Sequence, residues 1–191
     1  RRRLARSQFP EDSNGEGGKM KTNYKTLQIE LIDGIAMFTM NNPPVNQLSE
    51  HFVLELADAF QQAFDDDAVE AIVMTGTGKN FIAGADITQI KDVKTREELL
   101  PKMRDNNRFL NAIETGPKPV VAALNGHTIA GGCMLATACD RRIMASGKGR
   151  ISLNEVTFGS SVFAGCVEML EACAGHRNAE TILFGGAMYG P

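Results

Sequence analysis

The chain contains few residues of the kinds that usually hold metal ions. It has four cysteines and three histidines in 191 residues, no two cysteines form a Cys-x-x-Cys pair, and the histidines stand at no ligand spacing to them. A zinc site is therefore not expected. Cys133, Cys139 and Cys166 lie in apolar stretches and are predicted to be reduced, buried thiols, with a disulfide as the less favoured alternative.

Three further features are absent from the sequence, and each absence argues against a class of function. No apolar run approaches the ~20 residues that span a bilayer, so no membrane segment is predicted. The formal net charge is −3 and no basic stripe carries interleaved aromatics, which argues against nucleic acid as a partner. Neither a glycine-rich phosphate loop nor a GxSxG nucleophile turn occurs, so nucleotide-phosphate binding is not indicated and nucleophilic hydrolysis is a weak candidate.

The composition indicates one globular domain preceded by a segment of different character. Hydrophobic residues make up 43% and charged residues 23% of the chain, which is typical of a globular protein with its own core. Residues 1–19 begin with three arginines and continue into a polar, glycine-rich run, and the acids Glu11, Asp12 and Glu16 argue against a transit peptide. We predict a disordered leader or a vector-derived remnant over residues 1–19, and a core domain over residues 20–191.

Apolar periodicity predicts an alternation of strands and helices, which is typical of an α/β protein. Ser49 is a suitable N-cap for the first helix. Strands are predicted at residues 27–31, 35–40, 70–75, 120–124, 140–145 and 150–153. Helices are predicted at residues 49–64, 96–114, 133–138, 166–173 and 179–184. Turns or loops are predicted at residues 81–86, 126–132 and 185–191.

Two stretches of small residues and one acid are the candidates for chemistry. The stretch GHTIAGGCML at residues 126–135 follows an apolar strand and opens a helix, and FIAGAD at residues 81–86 has a similar character. Unpaired N–H groups at such turns can hold a developing oxyanion. Glu155 ends a short strand and could move a proton if burial raised its pKa. The structural alternatives are turns that only pack strand on helix, and a solvated acid. Glu168 and Glu171 have the pattern of helix-face residues but could replace Glu155 if the loop bends differently.

The two stretches resemble the crotonase (enoyl-CoA hydratase/isomerase) superfamily. Residues 81–90, FIAGADITQI, resemble its first oxyanion loop, and residues 118–140, KPVVAALNGHTIAGGCMLATACD, resemble its second oxyanion strand and helix. Residues 46–48, Asn-Gln-Leu, are similar to the family's early Asn-x-Leu region. The resemblance extends from about residue 26 to the end of the chain. It implies an α/β spiral of repeated ββα units, CoA thioester substrates, and trimers or dimers of trimers.

The resemblance also implies roles for individual residues. The N–H groups of Ala85 and Gly131 match the two donors to the thioester oxygen. The loop along which CoA lies is matched by Ile82, Ala83, Gly84, Asp86 and Ile87. Hydratases of the family carry two glutamates. The second of these matches Glu155, whereas Met134 stands in the position of the first. Met134 is expected to line the substrate site, with simple filling of the core as the structural alternative for its own role.

The replacement of one acid by a thioether favours one reaction class within the family. Met134 cannot accept a proton from water, whereas a single carboxylate can carry a proton from C2 to C4 of a 3-enoyl chain. We therefore expect a Δ3,Δ2-enoyl-CoA isomerase, a group whose corresponding stretch is similar to residues 152–155. The alternatives are an enoyl-CoA hydratase or another CoA-thioester reaction, and a non-catalytic acyl-CoA-binding homologue.

The remaining expectations concern partners, location and extent. The resemblance implies an acyl-CoA thioester substrate, no metal and no cofactor other than the CoA of that substrate, and no nucleic acid or membrane partner. It also implies a homotrimer or hexamer if the full-length chain is present. A cytoplasmic location is expected, or a mitochondrial or peroxisomal one in a eukaryote. The family usually continues past the position of Pro191 with helices that close the acyl pocket and build the trimer, so the core domain is expected to lack that C-terminal part.

Overall fold

The computed structural model describes residues 20–86 and 94–191 of the chain. Its strands are β1 (Leu27–Ile32), β2 (Ile35–Met40), β3 (Ala71–Gly76), β4 (Asn80–Ile82), β5 (Val120–Leu124), β6 (His127–Ile129), β7 (Arg141–Met144) and β8 (Ile151–Ser152). Its α-helices are α1 (Glu50–Asp65), α2 (Arg96–Thr115), α3 (Gly131–Ala138), α4 (Ala164–Ala174) and α5 (His176–Gly185), and a 3-10 helix spans Glu155–Phe158. The predicted α/β class is confirmed.

The larger sheet has five strands in the order β1-β2-β3-β5-β7. Strands β1 and β2 are antiparallel, and every other neighbouring pair is parallel. Asp33 and Gly34, with φ of 48° and 80°, form the turn between β1 and β2. Positive φ at both central residues is what a two-residue hairpin of this twist requires, so the sequence signal Asp-Gly acts as predicted.

The main core lies between this sheet and helices α1 and α2. The ring of Phe60 on α1 contacts Phe38 of β2 and Phe109 of α2 edge-on, with ring centroids 5.2 and 5.8 Å away. Such aromatic pairs contribute about 0.5–1.5 kcal/mol each beyond the burial of their area. Helix α1 begins as predicted, because the Ser49 hydroxyl accepts a hydrogen bond from the N–H of Phe52 at 3.3 Å.

The smaller sheet was not predicted in full. It has three parallel strands in the order β4-β6-β8, and β4 and β6 occupy stretches that the sequence pattern assigned to turns. Each of these two strands has only three residues, too few to show an alternating pattern. Helix α3 also begins earlier than predicted, at Gly131 instead of Cys133.

The last described residues form more than a turn. Helices α4 and α5 begin two and three residues before their predicted starts, at Ala164 and His176. After α5, Tyr189 pairs with Ile151 of β8, where the sequence predicted a simple turn. The three cysteines predicted as buried thiols are buried and free. In the described part of the chain, no helix combines the length and apolarity needed to cross a membrane.

Candidate active site

Three predicted site segments follow the three strands of the smaller sheet. Ile82 of β4 pairs with Thr128 of β6, and Ile129 pairs with Ser152 of β8. Because all three strands are parallel, the segments that follow them emerge at one edge of the sheet. The structure therefore brings the turns at residues 83–86 and 130–131, and the segment leading to Glu155, to one side of the fold. In α/β proteins this carboxyl edge is where ligands usually bind.

The backbone pairing of Ala85 leaves its N–H free to meet a ligand. Leu48 forms a parallel bridge with Ala85: the N–H of Leu48 donates to the Gly84 carbonyl at 2.8 Å, and its carbonyl accepts from the N–H of Asp86 at 3.1 Å. In a parallel pair, bonding to the two flanking residues directs the N–H and C=O of the residue between them to the opposite side. A Cβ built on Gly131 would lie 3.9 Å from the Ala85 nitrogen, so the two segments are neighbours there.

The second amide, that of Gly131, opens helix α3. The preceding residue, Ala130, has φ 51° and ψ −117°; its N–H donates to the Ser152 carbonyl at 2.8 Å, and its carbonyl accepts from the N–H of Met134 at 3.0 Å. The first N–H groups of a helix have no internal acceptor and lie at the positive end of its dipole. No oxygen of the described residues accepts a hydrogen bond from the N–H of Ala85 or Gly131.

Close packing restricts which residue can supply that second amide. A Cβ on Gly131 would lie 2.9 Å from the Leu48 side chain, and one on Gly132 would lie 2.4 Å from the Ile82 carbonyl oxygen. Contacts that short are not tolerated without movement, so the two glycines allow α3 to begin directly against β4 and Leu48. This is the physical reason for the Gly-Gly pair.

Glu155 lies on a short turn and is almost completely buried. It begins the 3-10 helix and is 4% exposed. Its carbonyl accepts from the N–H of Ser160 at 3.0 Å, and the preceding carbonyl, of Asn154, accepts from the N–H and hydroxyl of Thr157 at 3.0 and 2.7 Å. Among the described residues, the carboxylate oxygen Oε2 has no hydrogen-bond partner. The alternative of a solvated acid is therefore wrong.

The surroundings of Glu155 disfavour its charge. Burial raises the pKa of its carboxyl, and only a hydrogen bond from its own backbone works in the other direction. The thiols of Cys133 on α3 and Cys166 on α4 are close enough to interact electrostatically with it, and burial together with that carboxylate raises the pKa of each to about 12. Both thiols are neutral, so Glu155 has neutral neighbours on these two helices. A carboxylate in such a setting is a stronger base than an exposed one.

The other predicted substrate residues take different positions. The side chains of Ile82 and Met134 are in the core, at 0% and 5% exposed. Gly84 is buried, Ala83 and Asp86 are partly buried, and Ala85 is exposed. Ile87 lies outside the described residues. Contact of any of these residues with CoA or an acyl chain stays a prediction.

Three residues near the site had no assigned role from the sequence. Leu48 orients Ala85, and Ser152 binds the backbone of Ala130, as described above. Asn46, which is 2% exposed and has φ 54°, donates from Nδ2 to the Asn80 carbonyl at 3.1 Å and so ties its loop to β4. For Asn46 and Leu48, the available signal in the sequence was the similarity of residues 46–48 to the family's early Asn-x-Leu region. Ser152 gave no signal beyond its place in a short strand.

A recess lies at the other end of α3, away from the candidate site. It measures about 320 Å³ and includes Glu114, Cys139 and Cys173 in its lining. There, the Arg142 guanidinium donates to three carbonyls that end α3, those of Ala136, Thr137 and Cys139. That is a helix-capping role, remote from the free amides at the start of α3. Among the described residues, no three His, Cys, Asp or Glu side chains come together as a group that could hold a metal ion.

Comparison with known proteins indicates the family that residues 81–90 and 118–140 resemble. A family model described as enoyl-CoA hydratase/isomerase matches residues 30–191. A crotonyl-CoA hydratase of Syntrophomonas wolfei is 34% identical over 167 residues, covering 84% of this chain and 62% of that protein. A peroxisomal Delta(3,5)-Delta(2,4)-dienoyl-CoA isomerase of Arabidopsis thaliana is 31% identical over 172 residues, covering 82% of this chain and 62% of that protein. The chain thus spans less than two thirds of the length of either relative.

The fold is also similar to that of solved structures from the same family. The crystal structure of an enoyl-CoA hydratase/carnithine racemase from Magnetospirillum magneticum superimposes with a TM-score of 0.82 at 25% identity, covering 88% of this chain and 64% of that one. The match of the family model to most of the chain, together with these relatives, establishes the family. The chain belongs to the enoyl-CoA hydratase/isomerase family and has the crotonase fold.

Proposed function

We propose that this chain binds an acyl-CoA thioester and moves a double bond of the acyl chain from C3–C4 to C2–C3. One observation carries the proposal: two free backbone N–H groups, of Ala85 and Gly131, lie on the same edge of a sheet as the buried carboxylate of Glu155. Two such donors stabilise an enolate, and a desolvated carboxylate can remove and return a proton. The reaction uses this chain's own groups and the CoA of the substrate, and no further cofactor is proposed.

The proposed steps balance with a single acid. The thioester oxygen accepts hydrogen bonds from the N–H groups of Ala85 and Gly131, which raises the acidity of the protons on C2. The Glu155 carboxylate removes one C2 proton, and the electrons of that bond form the enolate that the two N–H groups stabilise. The protonated Glu155 then delivers the proton to C4, and the double bond is left between C2 and C3. Removing one donor of this kind typically costs about 2.7–4 kcal/mol of transition-state stabilisation.

The identity of residue 134 is the reason to favour isomerisation over hydration. Met134 is an apolar thioether buried in the core, at the position where the family resemblance predicts the first of the two glutamates of hydratases. It can neither accept a proton from water nor hold a water molecule strongly. A second candidate, hydration of a 2-enoyl-CoA, is favoured by the similarity to the crotonyl-CoA hydratase of Syntrophomonas wolfei. Non-catalytic acyl-CoA binding is the third candidate.

The test is to give the protein a 3-enoyl-CoA and a 2-enoyl-CoA separately and to follow the products of each. We expect conversion of the 3-enoyl to the 2-enoyl ester, and a loss of about 10²–10⁴-fold in that rate for Glu155→Gln. Glu168→Gln, which changes an exposed acid of α4, is the matched control and should retain the activity. Rapid hydration that survives Glu155→Gln would refute the mechanism. Tight acyl-CoA binding without turnover would favour the non-catalytic alternative.

We also propose that the protein assembles into homotrimers or hexamers when the full-length chain is present, as the family resemblance implies. Sedimentation equilibrium of the full-length protein measures this directly. A monomeric species at all concentrations would contradict the proposal.

A further inference from the structure

Residues 186–189, which follow α5, form a segment that we call the brace. Its Tyr189 exchanges two backbone hydrogen bonds with Ile151 of β8, at 3.0 and 2.9 Å. The hydroxyl of Ser152, which is 1% exposed, donates to the carbonyl of Ala187 at 2.8 Å. The brace is therefore attached to the strand that leads into Glu155.

The brace also touches the 3-10 helix that begins with Glu155. Gly186 has φ 55°, and a Cβ built on it would lie 2.8 Å from the side chain of Thr157 and 2.9 Å from that of Val156. It would also lie 3.6 Å from the Cα of Asn154. A 3-10 helix of four residues with no side-chain cap has little stability of its own. Its position consequently depends on what packs against it.

Ser152 connects the brace to the other half of the candidate site. Its carbonyl accepts from the N–H of Ala130 at 2.8 Å, next to the free amide of Gly131. Its hydroxyl binds the brace, and three residues later the chain reaches Glu155. Ser152 thus connects three parts of the structure: the segment that leads into the Gly131 amide, the strand that leads to the Glu155 carboxylate, and the brace.

We propose that Ser152 and Gly186 are positioning residues, which act through the brace to fix the Glu155 carboxylate relative to the Gly131 amide. This inference rests on the proposed function, because it takes these two groups as the ones that meet the substrate. A displacement of about 1 Å in such a pair can cost about 10²-fold in rate. In the proposed function, the N–H groups of Ala85 and Gly131 and the residues that match the family's CoA-binding loop hold the substrate. KM should therefore depend much less than kcat on the position of the Glu155 carboxylate.

The first experiment substitutes Gly186 by Ala and compares it with Gly175→Ala. Gly175 has φ 79° and ψ 154°, a conformation that other residues adopt less readily than the φ 55° and ψ 24° of Gly186, and a Cβ there would meet nothing within 4 Å. The control therefore carries at least as much backbone strain as Gly186→Ala, without the contact. For Gly186→Ala we expect kcat on the 3-enoyl-CoA to fall about 10- to 100-fold, with KM changed less than about twofold. For Gly175→Ala we expect both constants to stay within about twofold of the unsubstituted chain.

The second experiment removes the hydroxyl that binds the brace. Ser152→Ala is compared with Thr137→Val, which removes another buried hydroxyl bond of 2.8 Å, from Thr137 to the Met134 carbonyl. We expect Ser152→Ala to lower kcat more than Thr137→Val at equal loss of thermal stability. Equal effects of the two variants on kcat would show that Ser152 only contributes to stability, and would overturn its positioning role.

A readout independent of turnover separates this inference from the proposed function. The N–H of Ser160 donates to the Glu155 carbonyl, so its hydrogen exchange, followed by NMR, reports whether the turn is held. We expect faster exchange at Ser160 in Gly186→Ala and Ser152→Ala, and no change in Gly175→Ala. Unchanged exchange in the first two variants overturns the inference, and so does faster exchange with unchanged kcat. If the unsubstituted chain turns over no acyl-CoA, the proposed function fails, and exchange alone decides whether the brace holds the turn.

Discussion

At the scale of single residues, Glu155 is a carboxyl group in apolar surroundings. Its Oε2 has no hydrogen-bond partner in the part of the chain that the structure describes, and the neighbouring thiols of Cys133 and Cys166 are neutral. Burial raises its pKa, so the carboxylate becomes a better proton acceptor but is ionised only at a higher pH than usual. The pH dependence of the proposed double-bond shift should report the raised pKa of Glu155 directly.

We predict that kcat/KM for the double-bond shift rises with pH as Glu155 ionises in the free protein. The midpoint of that limb should lie above about 4.3, the value of an ordinary glutamate, because burial raises the pKa. Initial rates measured from about pH 4 to pH 8 with subsaturating 3-enoyl-CoA give the profile. A midpoint at or below about 4.3 would contradict a buried Glu155 acting as the base.

Ala130 holds a backbone conformation that side chains rarely adopt, with φ 51° and ψ −117°. Such a residue stores on the order of 1–3 kcal/mol of strain. We predict that Ala130→Gly leaves the free energy of unfolding unchanged or raises it by up to about 2 kcal/mol, because relief of strain at least offsets the greater freedom of the unfolded chain. Ala130→Val should lower it by more than about 2 kcal/mol, because a β-branched side chain fits positive φ poorly. Urea denaturation measures both, and a valine variant of unchanged stability would refute the strain.

At the scale of elements, the contact between helix α3 and strand β4 is what sets the Gly131 amide beside Ala85. The helix approaches so closely that a Cβ on Gly132 would lie 2.4 Å from the Ile82 carbonyl oxygen and 2.8 Å from its Cβ. The nearest of these atoms is a backbone oxygen, which no side-chain rotation can move aside. The separation of the two amides therefore depends on the absence of a side chain at Gly132.

Gly132→Ala should separate α3 from β4 and lower the free energy of unfolding by about 1–3 kcal/mol, the usual cost of overpacking. Gly165→Ala is the matched control, since that glycine lies in α4 and a Cβ there meets nothing within 4 Å. The control should be neutral or slightly stabilising, because alanine favours helix. Thermal or urea unfolding of the two variants is the measurement. Equal free energies of unfolding for Gly132→Ala and Gly165→Ala would show that α3 and β4 leave room for a Cβ at residue 132.

At the scale of the whole molecule, one partly buried acid, Glu55, and one buried acid, Glu155, give the stability opposite dependences on pH. Burial alone would raise the pKa of Glu55, but hydrogen bonds from the Thr26 hydroxyl and from the N–H groups of Lys25 and Thr26 outweigh it and lower that pKa. Its contribution to stability is thus present above the unfolded-state pKa and lost as pH falls through the folded-state pKa. For Glu155 the pKa is raised, so its charge costs stability above the folded-state pKa, and the cost disappears in acid.

Melting temperatures followed from about pH 8 to about pH 3 should therefore separate the two acids. Glu55→Gln should melt below the unsubstituted chain at neutral pH, with the gap narrowing as the pH falls through the range of ordinary carboxyl groups. Glu155→Gln should melt at or above the unsubstituted chain at neutral pH, with its gap also narrowing in acid. A gap of the opposite sign for either variant at neutral pH would contradict the assigned environment.

The sequence by itself determined the class of fold, the strands of the larger sheet and the family. Six strands and all five α-helices lie at or near the positions that the sequence predicted. Helix α1 gives the clearest signal, since it buries one apolar face along its 16 residues. Residues 81–90 and 118–140 carried the resemblance, and the glycines within them allow backbones to approach closely. Those signals are local, and a single chain displays them without knowledge of its folded form.

Only the tertiary structure decided how the candidate site is assembled. The three-residue strands β4 and β6 are too short for a pattern, and they form because neighbouring backbone groups pair with them. The exposure of Glu155 was open in the sequence, because burial of one acid depends on α3 and α4 packing over it. The brace that reaches Ser152 lies 35 residues away along the chain. Hydrogen bonds and contacts between segments so far apart exist only after folding, and no periodicity encodes them.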